Sequence, residues 1–256
     1  GLLIGTGLWA IVGCMVGIIG AMNEEISILQ NLIRGSEVEK TGPFEYITGM
    51  LEGKRIVLLR CGIGKANAAM GAALLINRFG PEFVINTGCA GGVNPAGFTP
   101  VLKFGDVVVS SALVYHDVDI SPFGYAAGQV PGMKDAFFTI EKPVIRTALR
   151  AIDQLKDEGL LPASLNHVEG LIGSGDVFVC DDARVGEIVK LFPAVRAIEM
   201  EGAAIAHACS LFAVPCLVIR AMSDIAGKES PIKFDEYLPA AAKHSSEIVR
   251  RIVKLY

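Results

Sequence analysis

This 256-residue chain has no large excess of charge of either sign: 23 Lys and Arg stand against 27 Asp and Glu, a net charge of −4. Its basic residues are scattered, so the clustered cations that nucleic-acid binding depends on are missing and that class is excluded. Cysteine is sparse and unpatterned. Cys14, Cys61, Cys89, Cys180, Cys209 and Cys216 form no CxxC pair and no His/Cys spacing of a zinc site. No metal is expected, and no disulfide scaffold. Several of these thiols fall in apolar runs, where a reduced, buried side chain belongs, so a reducing, cytoplasmic compartment is the expectation. Repeats and low-complexity linkers are also lacking, and this length needs no second domain.

Apolar residues are abundant: 52% of the chain, with a mean hydropathy of +0.48. That suits a sheet covered on both faces, with a subunit interface besides. The extreme case is Leu2 to Ile19, which holds no charged residue and is long enough for a membrane span. Val16–Gly20 reads better as a first buried strand. Residues 1–14 are then an apolar extension ahead of a natural initiator, Met15, with no basic region at its start. The competing reading is the remnant of an export or lipoprotein signal, because Ile11-Val12-Gly13-Cys14 is lipobox-like. Membrane contact, with an exported or lipid-anchored protein, is expected only in that case.

From Met15 onward, strand-like runs alternate with amphipathic segments. Strands are expected at Val16–Ile19, Phe83–Thr87, Asp106–Leu113, Val168–Ser174, Val195–Ile198 and Cys216–Ala221. Glu45–Met50 and Arg55–Arg60 form a hairpin turning at Glu52-Gly53. Helices are expected over Asn23–Ile33 (with Asn23 as its cap), Lys65–Phe79, Pro143–Glu158, Asp182–Leu191, Gly202–Phe212 and Phe234–Leu255. Between Tyr115 and Thr139 the pattern breaks into Gly, Pro and aromatic residues, and a loop that long is more often functional than idle. The expected fold is one three-layer α/β/α domain over 15–256, built on a central mixed, mostly parallel sheet.

In such a sheet ligands bind beyond the carboxyl ends of the strands, and acids collect there. Glu199 and Glu201 sit where an apolar strand runs into a helix, and Asp224 follows Ser223 at the end of the next strand. Glu24 and Glu25 open the first helix after the Gly20-Ala21-Met22-Asn23 turn. A glycine turn there can cradle phosphate, but this one carries acids and no cation. Either glutamate can simply complement the helix dipole, and Glu25 is as well placed to orient a water. Cys89, in Thr87-Gly88-Cys89-Ala90-Gly91-Gly92, has no histidine partner nearby to make it a nucleophile. Cys61-Gly62-Ile63-Gly64-Lys65 is a glycine turn of low specificity, ordinarily a helix entry. Phe178 and Phe234 are each either core residues or faces for a flat heterocycle. Asp224 is alternatively a cap or Asx turn.

Taken in order, these segments resemble the 5′-methylthioadenosine/S-adenosylhomocysteine nucleosidases of the nucleoside phosphorylase superfamily. The likeness runs from about Met15 to the C-terminus. It rests on Gly17–Glu25, Cys61–Lys65, Asn86–Gly92, Tyr115-His116-Asp117, Ser174-Gly175-Asp176, Glu199-Met200-Glu201, Ser223-Asp224 and Phe234-Asp235-Glu236. It implies hydrolysis of an N-glycosidic bond, releasing adenine and a 5-substituted ribose, with no cofactor. By that resemblance Glu25 activates the attacking water and Asp224, steadied by Ser223, protonates adenine N7. Glu201 binds the ribose hydroxyls and Met200 lines the sugar. Phe178 stacks on the purine, the Val179 backbone reads its edge, and Phe234 adds a contact. Met22, Cys89, Ala90 and Gly91 are further substrate contacts, and Glu199 supports them. The loop near 115–122 reaches the neighbouring subunit's site, so a homodimer is implied. Two departures stand out: Cys89 where bacterial members usually carry Ser, and Gly202-Ala203 in place of Ala-Thr.

The alternatives are a phosphate-dependent nucleoside phosphorylase, a futalosine hydrolase of the same fold, and a surface-exposed binding protein motivated by the N-terminus. A phosphorylase needs cations for phosphate, where the Gly20–Glu25 turn offers acids. Preference among methylthioadenosine, S-adenosylhomocysteine and 5′-deoxyadenosine is not encoded in these motifs.

Overall fold

The computed structural model describes residues 15–227 and 230–256, with side chains except at 230–236. The apolar extension with Cys14, and the side chain of Phe234, lie outside the described residues. β1 (Met15–Gly20) is buried along its whole length, as a strand covered on both faces must be. After it come α1 (Asn23–Leu32), β2 (Arg34–Thr41), β3 (Phe44–Leu51) and β4 (Lys54–Arg60). The β3–β4 hairpin turns at Glu52-Gly53, both left-handed at φ 51° and 80°, the turn geometry that matches strand twist. The order continues with α2 (Lys65–Phe79), β5 (Phe83–Gly92), β6 (Val107–Tyr115), β7 (Phe137–Thr139), α3 (Lys142–Asp157) and β8 (His167–Ser174). It ends with α4 (Asp182–Leu191), β9 (Val195–Glu199), α5 (Gly202–Leu211), β10 (Cys216–Ile225) and α6 (Ser230–Leu255).

The sheet is mixed. β1 lies parallel to β4 and β5, β5 to β10, β6 to β8 and β8 to β9, while the other pairings are antiparallel. β5 is its pivot: it pairs with β10 as far as Gly92, and Gly91 and Gly92 also face Ile198 and Ala197 of β9. Because β10 pairs with β6, β6 with β8 and β8 with β9, these strands close a ring around one end of the sheet. That closure gathers the ends of β5, β8, β9 and β10. Helices α1, α3 and α6 cover one face and α2 and α5 the other. Helix α4 covers a satellite core that includes Val114, Leu171, Ile188 and Phe192.

Four expectations change. Asn23 is not the cap of α1; Met22 occupies that position, and the Glu25 carboxylate accepts its N–H. β2 has no apolar alternation to reveal it, because both its faces are largely exposed. β5 and β10 run on past Thr87 and Ala221 to Gly92 and Ile225, since parallel pairing carries small and polar residues along with it. Helix α6 starts at Ser230, ahead of Phe234. Within the 115–139 loop, only the turn Ser121–Phe123 and the short β7 are regular. Among the described residues, no helix is long and apolar enough to cross a membrane.

Candidate active site

The turn from β1 into α1 places Glu25 inward and Glu24 outward, one residue apart on a helix. Glu24 is exposed and Glu25 buried, so the dipole role fits Glu24, and Glu25 is free to face the interior. Glu25 Oε2 accepts the N–H groups of Ala21 at 2.8 Å and Met22 at 3.0 Å, and Oε1 accepts that of Cys89 at 3.0 Å. Burial pushes its carboxyl above the ordinary range, against the pull of Arg220 and those three amides. A Cβ on Gly88 would stand 2.5 Å from Glu25 Oε1, so only glycine lets β5 come this close.

Behind the acids lies a fully buried cation. Arg220 on β10 donates to Asn86 Oδ1 at 2.6 Å and to Glu199 Oε2 at 2.5 Å. Its charge is held by Glu199, Glu25 and Glu201 together. A buried guanidinium needs this pairing and geometry to be tolerated at all. Glu199 in turn accepts the N–H groups of Glu201 at 3.0 Å and Gly202 at 2.7 Å, and the Ser174 hydroxyl. These contacts tie β8, β9, β10 and the start of α5 into one buried network.

Glu201, at the N-cap of α5, turns into the cavity with one oxygen, Oε1, bonded to the Gly64 N–H at 2.8 Å. Burial, and then the neighbouring Glu199, push its carboxyl up to about 8. Asp224 sits at an irregularity of β10, where the register slips between Met222 and Asp224. Such a bulge re-aims a side chain; here the Ser223 hydroxyl donates to Asp224 Oδ1 at 2.9 Å. The Cys89 thiol is held well above its ordinary pKa by burial and then by Glu25. It therefore stays protonated, which argues against a nucleophile.

The cavity these groups surround is about 200 Å³. It brings together Met22, Glu25, Cys89, Ala90, Gly91, Phe178, Val179, Met200, Glu201, Ser223 and Asp224. Every site residue expected from the sequence lines it except Phe234, whose side chain lies outside the described residues. Phe178 is on the wall and 45% exposed, so it is not a core residue. Among the described residues no group of His, Cys, Asp and Glu is arranged to hold a metal ion. Sequence reading missed Ile63, Val177 and Ala226 on the wall. It also left Arg220, Asn86 and Gly64 without roles. A lone Arg and a lone Asn inside apolar strands were the available signal, since such groups are buried only when paired.

The chain is similar to known proteins over nearly its whole length. The phosphorylase superfamily profile matches residues 15–254. A 5′-methylthioadenosine/S-adenosylhomocysteine nucleosidase of Geobacillus sp. (strain WCH70) is 47% identical over 93% of this chain and 97% of its own. The crystal structure of the Neisseria meningitidis nucleosidase of that name, in complex with methylthio-immucillin-A, superposes with a TM-score of 0.87. That pair is 42% identical and covers 94% of this chain and 99% of the other. A futalosine hydrolase of Helicobacter pylori strain 26695 has a TM-score of 0.83 at 32% identity, over 95% of this chain and 98% of its own.

Proposed function

The chain belongs to the phosphorylase superfamily and, within it, to the 5′-methylthioadenosine/S-adenosylhomocysteine nucleosidases; from that membership we propose how its site cleaves an N-glycosidic bond. The reaction is hydrolysis of methylthioadenosine and S-adenosylhomocysteine to adenine and a 5-substituted ribose, with 5′-deoxyadenosine as a further substrate. The observation that carries the reading is the wall of the cavity. Among the described residues, Glu25, Glu199, Glu201 and Asp224 line it, and no Lys or Arg does. Such a site repels phosphate and favours a sugar that becomes cationic in the transition state.

The ribosyl C1′–N9 bond breaks with its electron pair leaving on adenine, and Asp224 supplies a proton to N7 so that the base departs neutral. The oxocarbenium-like sugar is stabilised by the surrounding carboxylates. A water adds its oxygen to C1′ and gives its proton to Glu25, whose buried, raised carboxyl is a stronger base than a free one. Glu201 accepts from the ribose hydroxyls and Met22 and Met200 flank the sugar. Phe178 stacks on adenine, the Val179 backbone reads its edge, and Cys89, Ala90 and Gly91 form the strand wall beside it. Phe234 adds a contact to the base.

A homodimer is part of the proposal. The outward faces of α2 and α5, which pack against each other, expose Met70, Leu74 and Leu211. Ile63, on the cavity wall beside them, is 53% exposed, so a second copy seated there would close the cavity mouth. The 115–139 loop, with Phe123 exposed, is the segment proposed to reach across. A cytoplasmic location is proposed from the cysteine spacing, which builds no disulfide framework.

The deciding measurement is adenine release from methylthioadenosine in phosphate-free buffer, followed by chromatography. Turnover that appears only on adding phosphate would make the enzyme a phosphorylase. A kcat/KM for futalosine above that for methylthioadenosine would move it to the other branch of the fold.

A further inference from the structure

Two segments, Tyr115-His116-Asp117 and Ser174-Gly175-Asp176, take no part in the chemistry above, yet their carboxylates meet. Lys65 Nζ lies 2.7 and 2.6 Å from the two Asp117 oxygens and 3.8 Å from Asp176 Oδ2. The Lys65 N–H donates to Asp176 Oδ1 at 2.7 Å, and the Asp176 N–H donates to Asp117 Oδ2 at 2.9 Å. The start of α2 and the residues just beyond β6 and β8 are thereby closed into one ring of contacts.

None of the three side chains lines the cavity, but their chain neighbours Ile63 and Val177 do. Between Ile63 and Lys65 stands Gly64, whose N–H holds Glu201 Oε1 at 2.8 Å. Gly64 is left-handed at φ +94°, and a Cβ there would meet Asp176 Oδ1 at 3.1 Å. The turn therefore closes against the ring as only glycine allows. Beneath it, the His116 ring packs under Gly175 so tightly that a Cβ would come within 2.4 Å. The ring has a rigid floor and ends on an atom of the site.

We infer that Lys65, Asp117 and Asp176 are positioning residues for Glu201. Their ring holds the 62–65 turn so that the Gly64 N–H occupies one Glu201 oxygen and leaves the other aimed at the ribose hydroxyls. The inference rests on the proposed ribose role of Glu201. An isolated exposed ion pair contributes little, but here the charges fix the backbone amide that orients a buried carboxylate.

The test compares wild type with Asp176→Ala, Lys65→Met, Lys65→Arg, Glu201→Gln and the double variant Asp176→Ala/Glu201→Gln. Asp176 is 53% exposed, so its truncation opens no core cavity. Adenine release from methylthioadenosine is measured without phosphate. For slow variants, the Kd of a C-nucleoside analogue with a non-hydrolysable glycosidic bond replaces KM. Asp176→Ala and Lys65→Met are expected to lower kcat/KM about tenfold, mostly through KM. Lys65→Arg should recover part of that loss, and Asp176→Ala should cost nothing further in the Glu201→Gln background. An unchanged KM in the single variants, or an equal loss with and without Glu201, overturns the inference. Should Asp176→Ala fail to fold, the Lys65→Met and Lys65→Arg pair decides by the same criterion. A normal KM in Glu201→Gln refutes instead the ribose role on which the inference stands.

Discussion

Glu25 is adjacent to a residue of the same chemistry, Glu24, and only surroundings separate their roles, whereas Asp224 differs from its neighbour Ser223 in the acid group itself. Glu25 is buried under three amides, so the neutral Gln variant keeps the shape and loses the base. Asp224→Asn likewise keeps the shape and removes the proton. Each substitution is expected to lower kcat by about 10²–10⁴ with a much smaller change in KM, measured by steady-state adenine release. Glu201 offers a test through protons. Its free carboxyl is pushed up to about 8, so it is largely protonated at pH 7. Ribose hydroxyls that donate to it favour the ionised form. Substrate-analogue binding at pH 7 should therefore release a proton, and affinity should rise as pH approaches 8. Calorimetry in buffers of different ionisation enthalpy reads this directly, and proton uptake would contradict it. Arg220 is a residue whose loss the fold should feel. Arg220→Met leaves Glu199, Glu25 and Glu201 buried around no cation. It should cost about 3–5 kcal/mol in denaturant unfolding, as breaking a buried pair does.

At the scale of elements, the site depends on how closely strands and turns approach one another. β5 ends in Gly88-Cys89-Ala90-Gly91-Gly92, and its narrowness lets Glu25 from one side and Asp224 from the other share one wall. Gly88→Ala puts a methyl 2.5 Å from Glu25 Oε1. The carboxylate must move, and a displacement of that order is expected to lower kcat about a hundredfold. Thermal melting should change little by comparison, because the nearest clash is with a side-chain end. A melting temperature that fell while kcat held would reverse that argument. β2 shows the opposite case, a strand formed by pairing alone. Its Arg34–Thr41 sequence carries charges on both faces, so no periodicity announces it, and the hydrogen bonds of β3 recruit it.

At the scale of the whole molecule, assembly is governed by the surface rather than the core. Met70 and Leu74 on α2 and Leu211 on α5 are exposed apolar side chains, and the proposed dimer would cover them. Light scattering is expected to give twice the monomer mass. Met70→Glu or Leu211→Glu should shift the protein to monomer and raise KM, since the cavity mouth loses its cover. Full activity in a monomeric variant would separate the dimer from the site.

Much of this protein was legible in its residues. Apart from β2 and β7, the strand and helix order from Val16 onward, the turn at Glu52-Gly53 and the acids at strand ends all follow from local periodicity and chemistry. So did the choice of water over phosphate, because the Gly20–Glu25 turn carries acids wherever it folds. What the tertiary structure alone decided is which acid faces which way. Glu24 and Glu25 differ only by burial, and Glu199 and Glu201 only by the direction the chain takes at the β9–α5 junction. The partners that settle those directions, Arg220, Asn86, Ser174 and the Gly64 amide, arrive from distant segments through the closed ring of strands. Local pattern reports periodicity and local charge; it cannot report which remote group will be within hydrogen-bond reach.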